Sequence, residues 1–171
     1  MASPDDAGPE IFEATGRLRL GRFSESATAA LQESLRQAHQ TSWESLRSPH
    51  IFMGLLAAPD AAVLDWAHRL GEDLSSILTQ FQELFHQHGV TADAVLQLNR
   101  EFLSDNAIKL LREACQRAAY HRRARVTQMD LLIALLTSKD NIVVECFESI
   151  GQNAAKLTEL AVLAEHNVSP H

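Results

Sequence analysis

Apolar positions along this chain recur at steps of three and four, the period of one helix face, and nowhere alternate at the two-residue period of a half-buried strand. Ser24 reads as an N-cap with Glu25 in the first turn, and Ala27, Leu31, Leu35 and Ala38 follow as one stripe. That stripe predicts a first helix ending between His39 and Ser42. A short, almost wholly apolar segment follows from Leu46 to Leu56, with Ser48 expected as its N-cap and Pro49 at the first helical position. A helix apolar on all sides belongs at the centre of a core. Pro59-Asp60 opens a third helix through Val63, Leu64, Ala67 and Leu70, stopped by Gly71. Asp73 is expected to cap a fourth, with Leu74, Ile77, Leu78, Phe81, Leu84 and Phe85 on a wide apolar face.

The pattern then returns. Residues 23–78 lie over 103–158 without a gap, an offset of 80 residues. Ser24/Ser104, Ala27/Ala107, Leu31/Leu111, Leu55/Leu135, Asp60/Asp140 and Gly71/Gly151 are among the identities, which fall on caps, stripe positions and helix stops. The second short apolar segment is Val126–Leu136. There Thr127 and Asp130, three residues apart, have the spacing of a capping box. An internal duplication of a four-helix unit is the reading. Each unit alone would bury too little surface, so the two are expected to pack as one pseudo-twofold, all-α domain. The expected boundaries are a flexible N-terminal tail over 1–21, repeat 1 over 22–85, a connector over 86–101, repeat 2 over 102–166, and a C-terminal tail over 167–171. Gly89 is expected to end the first unit. Ile11, Phe12, Leu18 and Leu20 could dock part of the N-terminal segment onto the body.

Composition narrows the class. Five prolines and seven glycines in 171 residues, with 46% hydrophobic and 22% charged residues, suit a soluble helical protein. The net charge of −7 speaks against a general nucleic-acid binder. Cys115 and Cys146 fall on apolar stripes and not at metal or redox spacing, as expected of reduced core thiols in a cytoplasmic protein. No apolar run reaches the roughly 18 residues that a membrane span needs.

Little in the chain suggests catalysis. Lys109, Lys139 and Lys156 are the lysines, and none follows a glycine as a phosphate-binding loop requires. His86 and His88, two apart on an expected helix, would point to different sides, and no carboxylate partner completes a metal site. No catalytic residue, cofactor or metal is expected. Trp43 reads as a loop anchor and Trp66 as a core residue.

The doubled pattern resembles the N-terminal domain of Clp/Hsp100 AAA+ unfoldases (ClpA, ClpB, ClpC). Each repeat there opens with an aromatic or leucine, then Thr or Ser, then a helix with an early Ala, matched by Phe23-Ser24-Glu25-Ser26-Ala27 and Leu103-Ser104-Asp105-Asn106-Ala107. The family's Val-x-Thr-Glu-His-Leu-Leu segment is matched by Leu46–Leu56 and less closely by Val126–Leu136, and the resemblance covers about residues 22–165. It implies a non-catalytic domain on a hexameric ATPase ring that receives adaptor proteins, unfolded or aggregated clients, or marked substrates. In ClpB-like domains a groove between the repeats is bordered by a hydroxyl and an acid. Ser24 and Asp130 match those positions, with Phe23 beside them, although helix capping alone explains both polar residues. Phosphoarginine-reading relatives carry a Glu where this chain has Pro49 and Met129, so that chemistry is not expected. The run His121-Arg122-Arg123-Ala124-Arg125 is either a cationic groove border that would favour an acidic partner or a solvated loop near a helix C-terminus.

The expected function is therefore the protein-binding domain of a Clp-type unfoldase, with the ring in cis or in trans. Alternatives are a stand-alone regulator that docks on such a ring, or a ClpV-type domain that grips a secretion sheath. A small helical nucleic-acid-associated protein, prompted by Arg122, Arg123 and Arg125, is the reading from another class.

Overall fold

The computed structural model describes residues 10–88, 96–139, 141–149 and 151–168. Four helices, α1 (Glu25–Gln40), α2 (Ser48–Ala57), α3 (Ala61–Leu70) and α4 (Leu74–Phe85), form the first repeat. The second is α5 (Asp105–Tyr120), α6 (Gln128–Thr137), α7 (Ile142–Ser149) and α8 (Ala154–Val168). The described residues contain no strand beyond isolated bridge pairings. The architecture is all-α, as the periodicity predicts.

Local chemistry sets the helix ends. The Ser24 hydroxyl accepts the Ala27 N–H at 3.1 Å and Ser104 accepts that of Ala107 at 3.1 Å, so α1 and α5 share one cap. Asp60 caps α3 through the Val63 N–H at 3.0 Å. Gly71 and Gly151 end α3 and α7 at φ 77° and 91°, a left-handed turn that a Cβ would strain. Two expectations shift. Ser48 is the first residue of α2 and Pro49 the second; the N–H of Arg47 is accepted by His50 Nδ1 at 2.9 Å. Asp73 precedes α4 but accepts from the Ser76 hydroxyl at 3.0 Å and not from a helix N–H.

The two short apolar helices lie at the centre. Every residue of α2 from His50 to Leu56 is buried, and so is every residue of α6 from Gln128 to Leu136. Around them Phe52, Trp66, Phe81 and Phe147 meet largely edge to face at 5.0–6.4 Å, an arrangement favoured by the ring quadrupoles. Those rings come from α2, α3, α4 and α7, so the core belongs to both repeats. Trp66 is fully buried and donates its indole N–H to the Leu157 carbonyl at 3.1 Å, tying α3 to α8.

The repeats also exchange backbone contacts by twofold logic. Ser24 N–H donates to Val126 O at 2.8 Å and Val126 N–H to Arg22 O at 2.8 Å. The symmetric pair is Ser104 to Leu46 at 3.0 Å and Leu46 to Phe102 at 2.7 Å. The segment that opens each repeat is thereby paired with the segment that precedes the other repeat's central helix.

The close packing of α1 on α2 depends on Gly54. A Cβ there would lie 2.2 Å from the Ala30 carbonyl oxygen and 2.2 Å from Ser34 Oγ. The carbonyl cannot move without moving α1. Gly54→Ala should therefore cost about 1–3 kcal/mol in urea unfolding, and Ser34→Ala in the same chain should recover only part of it. A fully neutral Gly54→Ala would contradict this packing.

Three boundaries differ from the sequence expectation. Residues 10–21 are not a free tail: Ile11, Phe12 and Leu18 are buried, while Leu20 is 37% exposed. They form a small hairpin, with Phe12 paired to Leu18, which clips onto the connector through Leu18 N–H to Leu98 O at 2.9 Å and Arg100 N–H to Gly16 O at 2.8 Å. The connector residues 98–100 are thus part of the packed body; Gly89 lies outside the described residues. At the other end α8 runs to Val168, so Asn167 and Val168 continue the last helix.

Candidate functional site

Two clefts open where the repeats meet, and they occupy positions related by the 80-residue offset. The first, of about 330 Å³, lies between the start of α6 and the starts of α1 and α3, bordered by Ser24, Ser26, Asp60, Arg123, Met129 and Glu165. The second, of about 240 Å³, lies between the start of α2 and the starts of α5 and α7, with Trp43, Arg47, Pro49, Phe85, Lys109 and Lys139 among its walls.

The first cleft is where the sequence placed the site, and the structure redistributes its residues. Ser24 stands on the border, half-buried, its oxygen engaged as the α1 cap. Phe23 is only 2% exposed and paired with Val126, so it belongs to the core and does not present a surface. Asp130 is fully buried. It closes the α6 capping box, accepting the Thr127 N–H at 2.9 Å while Thr127 Oγ1 accepts its own N–H at 3.2 Å.

The carboxylate of Asp130 also holds two guanidiniums. Arg117 on α5 donates to it at 2.7 Å, and Arg123 grips it with both terminal nitrogens, one at 2.8 Å. Glu165 on α8 receives Arg117 in a fork at 2.8 Å on each oxygen. Burial opposes ionisation of Asp130, yet the hydrogen bonds from Arg123, the Thr127 N–H and Arg117 outweigh it and hold its pKa below the usual carboxylate range. Hydrogen bonding to Arg117 lowers that of Glu165 against a smaller burial penalty. The result is a charge-balanced network of two cations and two anions, closed on itself. Asp130 therefore does not offer an acid to a ligand, and Arg123 is not a solvated cation. Arg122 and Arg125 remain exposed. The loop is bent by Arg122 at φ 58°, which aims Arg123 inward.

The same positions in repeat 1 carry different chemistry. Arg123, Asp130, Glu165 and Arg117 have Trp43, His50, Phe85 and Gln37 as their counterparts at the 80-residue offset. Trp43 donates its indole N–H to the Phe85 carbonyl at 2.6 Å and meets the His50 ring edge to face at 5.5 Å, which makes it a loop anchor. His50 is 1% exposed. Its Nδ1 accepts from the Arg47 N–H, so the proton sits on Nε2, 3.3 Å from Thr41 Oγ1. Burial, helped by the charge of Arg47, lowers its pKa to about 4.

A buried amide sets the two clefts apart as well. Gln128, at the start of α6, donates to Ser26 O at 2.8 Å and Ala58 O at 2.7 Å and accepts from the Asp60 N–H at 2.8 Å. It fixes the floor of the first cleft to repeat 1. Its counterpart is Ser48, too short for such a span.

Sequence reasoning missed Arg117, Glu165, Gln128 and His50. The offset already placed Asp130 over His50, and that was the signal available for the contrast. Elsewhere, His86 and His88 lie beyond the end of α4 with rings 4.7 Å apart, because the helix stops at Phe85 and the helical angle between them does not apply. Among the described residues no group of three metal-ligating side chains gathers. Burial raises the Cys115 thiol to about 11, and no described helix is long and apolar enough to cross a membrane.

No protein-family model matches the sequence, and none of the curated proteins matches it. Solved structures do. The N-terminal domain of ClpD from Arabidopsis thaliana superposes with a TM-score of 0.65 at 15% identity, covering 86% of this chain and 97% of that one. The Hsp104 N-terminal domain from Candida albicans gives 0.63 at 17%, covering 82% and 89%. The fold is that of a Clp N-terminal domain. A ClpV N-domain in complex with a VipB peptide gives 0.61 at 19%, covering 87% and 93%. Within this Clp N-domain fold, Pro49 and Met129 each border one cleft and supply no carboxylate there.

Proposed function

We propose that this chain is a protein-binding domain that receives segments of partner proteins between its two repeats, for a Clp-type ATPase ring in cis or in trans. The observation that carries this reading is the pair of clefts at the repeat junction, on a fold for which a ClpV N-domain has been solved with a VipB peptide. Burial of Phe23 and Asp130 moves the expected contacts from those residues to the cleft walls. Closure of Arg123 within its ion network leaves two exposed arginines in that loop, a weak footing for phosphate binding on a chain of net charge −7. Adaptors and unfolded clients are the partner classes that suit such clefts.

Peptide arrays tiled across unrelated proteins, probed with the full chain, should retain it on a subset of peptides. A benzophenone side chain at position 49 or 26, one per cleft, should then crosslink to those peptides. An array that retains nothing, or retention with no crosslink from either cleft, would remove this reading.

A further inference from the structure

We propose that the cleft beside Trp43 is the receiving one and that it selects an acidic segment carrying an apolar side chain. This rests on the protein-binding reading above and specifies its chemistry. Three observations converge on it.

The first is charge. The described walls of this cleft include Arg47, Lys109 and Lys139 and no Asp or Glu. All three cations are exposed. Among the described residues the ion pair these cations make is Lys109 with Glu113 at 3.9 Å, a distance at which an exposed pair contributes little. A chain of net charge −7 thus concentrates positive charge in one concave place. The other cleft carries its own anions, Asp60 and Glu165, with the latter already holding Arg117. Among the described residues, acids wall the first cleft and only cations and neutral groups wall the second.

The second is the apolar surface. Trp43, Pro49 and Phe85 are half-buried, and Ile142 is 45% exposed at the border. Together with the buried Leu110 they offer a hydrocarbon wall below the cations. The third is the direction of the helices. The N-termini of α2, α5 and α7 border this cleft as those of α6, α1 and α3 border the other, and here their partial positive charges add to side-chain cations that no described wall acid offsets.

Nucleic acid fits less well. One face of Trp43 is already covered by the Arg47 guanidinium, whose carbon lies 4.6 Å from the ring centroid, so a base would have to displace that cation to stack there. A cleft of about 240 Å³ admits a side chain or two of a partner and not a duplex.

The test uses the full chain and three labelled synthetic peptides: one alternating Glu and Asp with Phe and Leu, its Lys-for-acid inverse, and its Ser-for-apolar version. Fluorescence anisotropy should show the acidic-apolar peptide binding, with the other two weaker. Lys109→Glu with Lys139→Glu should weaken that binding by about tenfold or more, and added salt should weaken it too. His166→Ala in the other cleft should leave it unchanged. Both lysines are exposed, so thermal melts of the variant should match the parent. Equal binding of the inverse peptide, no effect of the charge reversal, or tighter binding of a single-stranded oligonucleotide would overturn the proposal. Peptide binding that depends on the other cleft would overturn it while leaving the protein-binding reading intact. Failure of every peptide, the arrays included, would remove both.

Discussion

Asp130→Ala should destabilise the chain by about 3–5 kcal/mol, the cost of removing one partner from a buried ion pair. That corresponds to a fall in melting temperature on the order of 10 °C for a chain of this size. The reason is the company Asp130 keeps. Its loss leaves Arg117, whose side chain is only 16% exposed, with Glu165 as its one anion among the described residues. It frees Arg123 from the contact that draws it inward and removes the acceptor for the Thr127 N–H at the start of α6. Asp130→Asn should lose less, because the amide oxygen can still accept that N–H. Urea unfolding of both variants checks this. Equal stability of Asp130→Ala and the parent would show that the network contributes nothing. The acid dependence of the network follows from its depressed carboxylates. Their stabilisation is fully present above the ordinary carboxylate range and is lost as pH falls through the lower folded values.

His50 should produce the second large effect, and in a different window. Its pKa falls from 6.5 to about 4 on folding. Between those values the unfolded chain binds a proton that the folded chain refuses. Stability therefore declines as pH drops from 6.5 toward 4, and at 1.36 kcal/mol per unit the decline amounts to about 3 kcal/mol. Protonation would place a hydrogen on Nδ1 against the Arg47 N–H and open the start of α2. His50→Gln keeps an acceptor at that place and removes the titration. Its urea midpoint should vary much less between pH 6.5 and 4.5 than that of the parent. An unchanged pH slope in this variant would assign the acid sensitivity to other groups.

Periodicity and caps made most of the fold legible. Ser24, Ser104, Asp60 and Gly71 lie where local chemistry requires them, and the gap-free offset already implied that the two units pack as one pseudo-twofold domain. The N-terminal hairpin was harder to see. Ile11, Phe12 and Leu18 are too few to show a period, and only contact with residues 98–100 gives them a place. The site was half legible for a similar reason. Asp130 and Ser24 stand out as caps from spacing alone. The arginines that neutralise Asp130 come from α5 and a loop, and Glu165 comes from the last helix. Such partners share no local pattern. Arg123 looked like one member of a basic run because its sequence neighbours are basic, and it is aimed inward by a left-handed residue that is not glycine. The contrast between the two clefts emerges only when the offset is carried from the caps to Trp43, His50 and Phe85.

Binding between the repeats can be tested directly by following the two tryptophan indole N–H resonances during titration of isotope-labelled protein with the acidic-apolar peptide. Trp43 lines the cleft proposed to receive the peptide, whereas Trp66 is fully buried and hydrogen-bonded to Leu157. The Trp43 resonance should shift progressively and saturate while that of Trp66 stays in place. A saturating titration in which Trp43 does not move, with shifts gathered on another face, would contradict recognition between the repeats.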